Sequence, residues 1–256
     1  MFASFMINDW IAGSIIAVIA GLAGFFVLLR GATFAAHALP LGTFPGAAAA
    51  ALLGINPLIG LIAFAGFGVA GISLLGRNQR NDVATGLTLI FLLGIGILLL
   101  SLSGHYAQSV YALLFGEILG VSSAQILPVA IIGLVVATGL IASFRPLLLS
   151  AISPDLAAAS RLSPALANWL FLSLLGLATA MALPVVGALL VFSLMTGPPA
   201  AARALTSRPA LAMALSAAIA LALIWAAIAL SYLTNWPVGF FVGSLAAACY
   251  AASRLA

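Results

Sequence analysis

Lysine is absent from this chain and charge of either sign is scarce. Eight arginines stand against Asp9, Asp82, Glu117 and Asp155, so that 5% of the 256 residues are charged. A soluble domain carries about a quarter charged residues, so this chain cannot cover a water-facing surface. The missing lysine also excludes a phosphate-binding P-loop, whose lysine contacts the nucleotide. Any ATP-driven work must therefore come from a separate subunit. Cys249 is the single cysteine, which excludes an intrachain disulfide and a cysteine metal cluster; it is expected to pack as a small apolar residue in the last helix. The chain has no Ser/His/Asp constellation at plausible spacing, no HExxH motif and no paired intramembrane aspartates. It reads as a non-enzyme without a cofactor.

What it has instead is apolar length. Hydrophobic residues make up 65% of the chain, and the mean hydropathy is +1.34. Runs of about 17–25 residues without strict alternation select an all-α helical bundle in the membrane over a β-barrel. The segments fall near 10–29, 33–54, 57–76, 83–103, 123–144, 165–183, 185–202, 210–233 and 237–253, about eight or nine crossings. The two flanking Pro184 are short and are expected to form a helical hairpin that does not fully cross. No polar block interrupts the runs, so a single transmembrane domain over 1–256 is expected. The first run lacks a basic flank and a small-residue cleavage pattern, which makes it a retained span.

The arginines orient the bundle. With the N-terminus outside and the C-terminus inside, Arg30, Arg77, Arg80, Arg145, Arg161, Arg203, Arg208 and Arg254 all fall on the cytoplasmic side. That is the placement the positive-inside rule requires. Arginines spread singly along helix ends do not make a nucleic-acid surface. Trp10, Tyr232 and Trp236 then occupy the outer interface and Trp169 the inner one. Two loops are long. The outer one, 105–122, is expected to form a short helix on the membrane surface. It carries His105 and Glu117, a pair suited to Zn²⁺ or Mn²⁺ if the loop folds back, or simply to solvation. The inner one, 146–164, contains a marked helix start at Ser153, Pro154 and Asp155: an N-cap, a first-turn proline and an acid at the positive end of the dipole. That helix should run to about residue 162, before Pro164 stops it. Asp82 reads as a cap for the fourth span.

Residues 30–54, RGATFAAHALPLGTFPGAAAAALLG, differ from every other run. A spanning helix needs no histidine and gains little from two prolines, so such residues point to an element lining a site. His37 lies seven residues in from Arg30, roughly 10 Å deep at about 1.5 Å per residue. Its imidazole needs a hydrogen-bond partner, a cavity or a metal. A neighbouring hydroxyl or carbonyl would satisfy it as well as a transport pathway would. Thr33 and Leu41 flank it at one-turn spacing. Pro40, Pro45 and Gly46 are expected to break or distort the helix there. GFGVAG at 66–71 matches a dinucleotide pattern but sits inside an apolar span, where close helix packing explains it.

This combination resembles the metal-ion ABC transporter permease family, the membrane subunits of zinc and manganese importers. The residues that carry it are HALPLGTFPGAAAAALLGINPLIG (37–60), RNDVATGLTLIFLLGIGILLLSL (80–102), LLFGEILGVS (113–122), SPDLAAASRL (153–162) and LPVVGALLVFSLMTGPPAAAR (183–203), in that order. The resemblance runs from about 30 to 254. It implies a homodimer in the cytoplasmic membrane with a pathway at its centre, two cytoplasmic ABC ATPase subunits beneath and an extracytoplasmic solute-binding protein above. It also implies a divalent metal ion or metal complex as cargo. Residues 153–162 match the family's coupling helix, so Ser153, Pro154, Asp155, Leu156, Ala157 and Arg161 are the expected ATPase contacts. Family members usually have a glycine where this chain has Arg161. The family's aspartate and histidine ligands on the second helix correspond to His37 and Leu41, so one ligand is exchanged and the other replaced by an apolar residue. The alternative is an ATP-independent secondary transporter or channel, for which His37 is the one intramembrane titratable group on offer; a non-transporting scaffold is a third reading.

Overall fold

The computed structural model describes residues 6–76, 81–103, 120–153 and 163–255. His105 and Glu117 lie outside them, as do Pro154, Asp155, Leu156, Ala157 and Arg161. The described residues form ten helices: α1 (Ile7–Leu29), α2 (Thr33–Leu53), α3 (Pro57–Leu75), α4 (Asn81–Ser103), α5 (Ser123–Ala142), α6 (Phe144–Ile152), α7 (Pro164–Val186), α8 (Ala188–Leu205), α9 (Pro209–Thr234) and α10 (Val238–Ser253). Eight of these are long and apolar enough to cross a membrane, and α10 is a shorter apolar helix. The protein is an all-α polytopic membrane bundle.

Local chemistry sets the helix starts. Asn56 Oδ1 accepts the Leu58 amide at 2.9 Å, with Pro57 at the first helical position of α3. Gln125 Oε1 reaches back to the Ser122 amide at 2.9 Å to box the start of α5. Each bond satisfies an amide that has no partner inside its own helix.

α1 and α7 are the interior helices, with 72% of each span buried in protein against 22% for α5. Beyond its first turns α1 is apolar on nearly every side, as a helix packed within a bundle requires. The helices fall into two closely packed groups, α2 with α3 and α4, and α1 with α8, α9 and α10; α7 touches both, while α1 and α2 barely meet. Lipid is as apolar as leucine, so close fit holds these groups together more than hydrophobicity does. Between α2 and α3 the backbones touch at Gly46 and Gly60. A Cβ added to either glycine would land on the carbonyl of the other. α1 is joined to α9 by the Ser216 hydroxyl, which donates to the Gly21 carbonyl at 2.7 Å.

The two ends of the bundle are distinct. One cavity joins Arg30, Asp82, Ser150 and Asn168, from the end of α1, the start of α4, α6 and the start of α7. Another, at the opposite end, joins Asn56, Gln125 and Pro184. Trp10 packs edge-on against Trp225, with centroids 6.2 Å apart, and Trp225 Nε1 donates to Ser14 Oγ at 2.8 Å.

Three expectations are corrected. The helix does not break at Pro184: α7 continues to Val186, and the chain turns at Gly187, whose φ of +83° glycine alone adopts without strain. α7 and α8 are both long enough to cross, so they are not a short re-entrant hairpin. Within the inner loop α6 begins at Phe144, because Pro146 stands in a first turn where its missing amide costs no hydrogen bond. Finally, α2 does not break at Pro40, Pro45 or Gly46 but runs continuously from Thr33 to Leu53. The packed bundle holds the helix where the prolines remove its bonds.

Candidate functional site

α2 supplies the candidate site. Pro40 and Pro45 each lack an amide hydrogen, so the carbonyls of Ala36 and Leu41 lose their donors four residues on. Thr43 Oγ1 donates to the Pro40 carbonyl at 2.8 Å, taking up a further acceptor in the same stretch. Two interior turns of the helix therefore lack their regular amide donors, among buried residues.

His37 lies half-buried on this helix, beside those turns. Its ring stands edge-on to Phe192 of α8, with centroids 4.9 Å apart and planes at 68°. Thr33, one turn earlier, is exposed. Leu41, one turn later, packs on a small apolar cluster made by Leu61, Ala180, Leu183 and Ala188. The histidine and leucine positions thus have different surroundings. One borders the contact between the two helix groups, and the other, also half-buried, packs on side chains of α3, α7 and α8.

Phe192 had no signal in the sequence, because nothing links it to His37 except the packing of α8 on α2. Asp9 was counted as a charge and no more. It is buried, and its Oδ1 accepts the Val121 amide at 3.0 Å, while Asn8 Nδ2 donates to the Val121 carbonyl at 3.1 Å. These two side chains fasten the end of the outer loop to the start of α1. A lone acid in the first turn of an otherwise apolar helix was the available hint.

At the arginine end, the cavity of about 190 Å³ brings Arg30, Asp82, Thr85, Ser150 and Asn168 together. Asp82 is exposed there. Burial lowers the Arg30 pKa from the ordinary arginine value, through loss of hydration, but a guanidinium remains a cation. No group of three or more His, Cys, Asp or Glu side chains that could hold a metal forms among the described residues. Gly66–Gly71 lies inside α3. Leu39 of α2 closes on Gly68 and Thr88 of α4 on Gly71, so these two glycines are helix contacts, while nothing lies within 4 Å of a Cβ at Gly66.

A bundle of long apolar helices, in which α2 carries a half-buried histidine and two interior prolines, defines a polytopic membrane protein. The chain belongs to the ABC 3 transport family, whose model matches residues 2–255. It is the membrane permease component of an ABC transporter. It is similar to the manganese transport system membrane protein MntC of Listeria monocytogenes, with 29% identity over 207 residues, 80% of this chain and 74% of that one. The manganese import system permease protein ScaB of Streptococcus gordonii is 31% identical over 200 residues, 77% of this chain and 72% of that one. Among solved structures, PsaBC from Streptococcus pneumoniae in complex with Fab matches in fold. The TM-score is 0.87 at 24% identity, covering 98% of this chain and 91% of that one.

Proposed function

We propose that this permease imports a divalent metal ion, manganese first among candidates, as a homodimer driven by a separate cytoplasmic ABC ATPase and supplied by an extracytoplasmic solute-binding protein. The observation that carries the reading is His37 on α2, at the contact with α8, in a chain similar to permeases named for manganese. Main-chain carbonyl oxygens suit Mn²⁺, and an imidazole nitrogen beside them adds a ligand of the kind that first-row divalent metals take. The freed carbonyls of Ala36 and Leu41 can provide oxygen where the Leu41 side chain cannot. Residues 153–162 would dock the ATPase. Nucleotide-driven closure there would move α2, α3 and α4 against α1, α8, α9 and α10, opening His37 to one side at a time. His105 and Glu117 would meet the ion at the outer mouth, and Thr33 at the inner one.

Reconstitution tests this. The chain, its ATPase and its binding protein in proteoliposomes should take up manganese only with ATP. Uptake by the chain alone, driven by an ion gradient, would instead establish a secondary transporter. His37 can be tested separately from its packing. His37→Phe keeps a ring against Phe192 but removes both nitrogens, and should lower manganese uptake by about tenfold or more, the scale of losing one metal contact. His37→Asp, which restores an oxygen ligand at the same place, should keep more uptake than His37→Phe. Equal uptake by His37→Phe and the parent would reduce His37 to a structural ring.

A further inference from the structure

The side chain of Arg30 joins three helices. Its Nη1 donates to Ser150 Oγ of α6 at 2.7 Å and approaches the Leu147 carbonyl at 3.5 Å. Ser150 Oγ in turn donates to Leu147 O at 3.1 Å, so the hydroxyl accepts from the cation and donates onward. The guanidinium carbon stands 5.2 Å from the centroid of the Phe171 ring in α7. Arg30 itself closes α1, its amide donating to the Phe26 carbonyl at 2.9 Å while the Gly31 amide donates to the Leu28 carbonyl.

The electrostatics favour a cation at this point. Arg30 stands at the C-terminus of α1 and beside the last turns of α6, and both carry negative partial charge on their end carbonyls. The face of Phe171 adds a quadrupole attraction. Among the described residues the guanidinium forms no ion pair, so carbonyl, hydroxyl and ring carry the whole interaction. That makes its grip depend on where α6 and α7 are, rather than on one strong carboxylate contact.

The chain order around this contact has a mechanical consequence. α6 ends at Ile152 and α7 starts at Pro164, so the two arms that Arg30 holds are those entering and leaving residues 153–162. Beyond Arg30, Gly31 and Ala32 lead directly into α2, which carries His37. We infer that Arg30 is a positioning residue that ties both arms of the ATPase-docking segment to the root of α2, so that displacement of the segment is delivered to the helix bearing His37. This rests on the proposed function and adds to it the connection between the energy source and the pathway.

The test is the number of ions taken up per ATP hydrolysed by the reconstituted complex, which a purely structural anchor would not change. Arg30→Met keeps the length of the side chain and removes its donors and charge. The complex should still assemble and hydrolyse ATP, while uptake per ATP falls about tenfold, a coupling loss of ordinary allosteric size. Arg30→Lys, which keeps a cation within reach of Ser150, should recover part of the ratio. Ser150→Ala, a smaller change that spares the fold, should lower the ratio in the same direction and serves if Arg30→Met does not assemble. An unchanged ratio in whichever of Arg30→Met and Ser150→Ala assembles, whether or not total activity falls, overturns the inference. Failure of the unsubstituted complex to show ATP-dependent uptake would overturn the permease reading itself, and is visible before any substitution is made.

Discussion

Gly60→Val is expected to abolish the folded permease. Gly60 and Gly46 meet backbone to backbone, and a Cβ on Gly60 falls on the Gly46 carbonyl and within 2.9 Å of the Ala50 Cβ. Overpacking a core typically costs about 1–3 kcal/mol when side chains can shift to relieve it. Here the obstacle is main chain on a helix, and no rotamer relieves it. α2 and α3 would have to separate along the most extensive contact in the bundle. Close helix approach is a main source of association energy in a membrane, so separation loses attraction as well as adding strain. Monodisperse yield after detergent extraction, with the thermal midpoint of whatever protein remains, measures the effect. Gly66→Ala on the same helix is the control, since nothing lies within 4 Å of a Cβ there. A Gly60→Val protein as monodisperse as the Gly66→Ala protein would contradict the α2–α3 contact.

Replacing residues 155–162 with a Gly/Ser linker of equal length should eliminate co-purification with the ATPase while leaving the bundle intact. The arms are held independently of the segment, α6 through Arg30 and Ser150 and α7 by its packing in the interior. The fold therefore does not need the segment, whereas a docking surface does. A flexible linker presents no fixed face and would have to be ordered on binding, at roughly 1–2 kcal/mol per residue of backbone entropy. Affinity purification of the co-expressed subunits reads the outcome, with size-exclusion elution of the permease as the check on folding. If the ATPase still co-purifies, the docking segment lies elsewhere.

The crossings were legible because hydropathy over about 20 residues reports a physical demand that each helix meets alone: enough apolar length to span hydrocarbon. The spans from 33 to 54 and from 57 to 76 could thus be placed within a residue of α2 and α3. Proline was the weak signal. Pro40, Pro45 and Pro184 suggested breaks, because proline removes a helix bond, yet α2 and α7 run through all three. The turn came at Gly187, where positive φ rather than a missing amide decides. α6 was hidden for a related reason, since Pro146 resembles a loop residue unless it is known to sit in a first turn.

His37 stood out by itself, as a titratable group at membrane depth. Its setting did not, since Phe192 reaches it only through the packing of α8 on α2. Nor could the sequence show that Arg30, counted as one more inside charge, joins α1, α6 and α7. The sequence alone determined that this is a polytopic helical membrane protein, where its long spans begin and end to within a few residues, and which helix is unlike the rest. Only the tertiary structure decided which helices touch, that α2 stays continuous through its prolines, and what stands against His37 and Arg30. Span length and charge side are properties of each segment in a bilayer, but contacts between segments depend on shape across distances in sequence that no local pattern records.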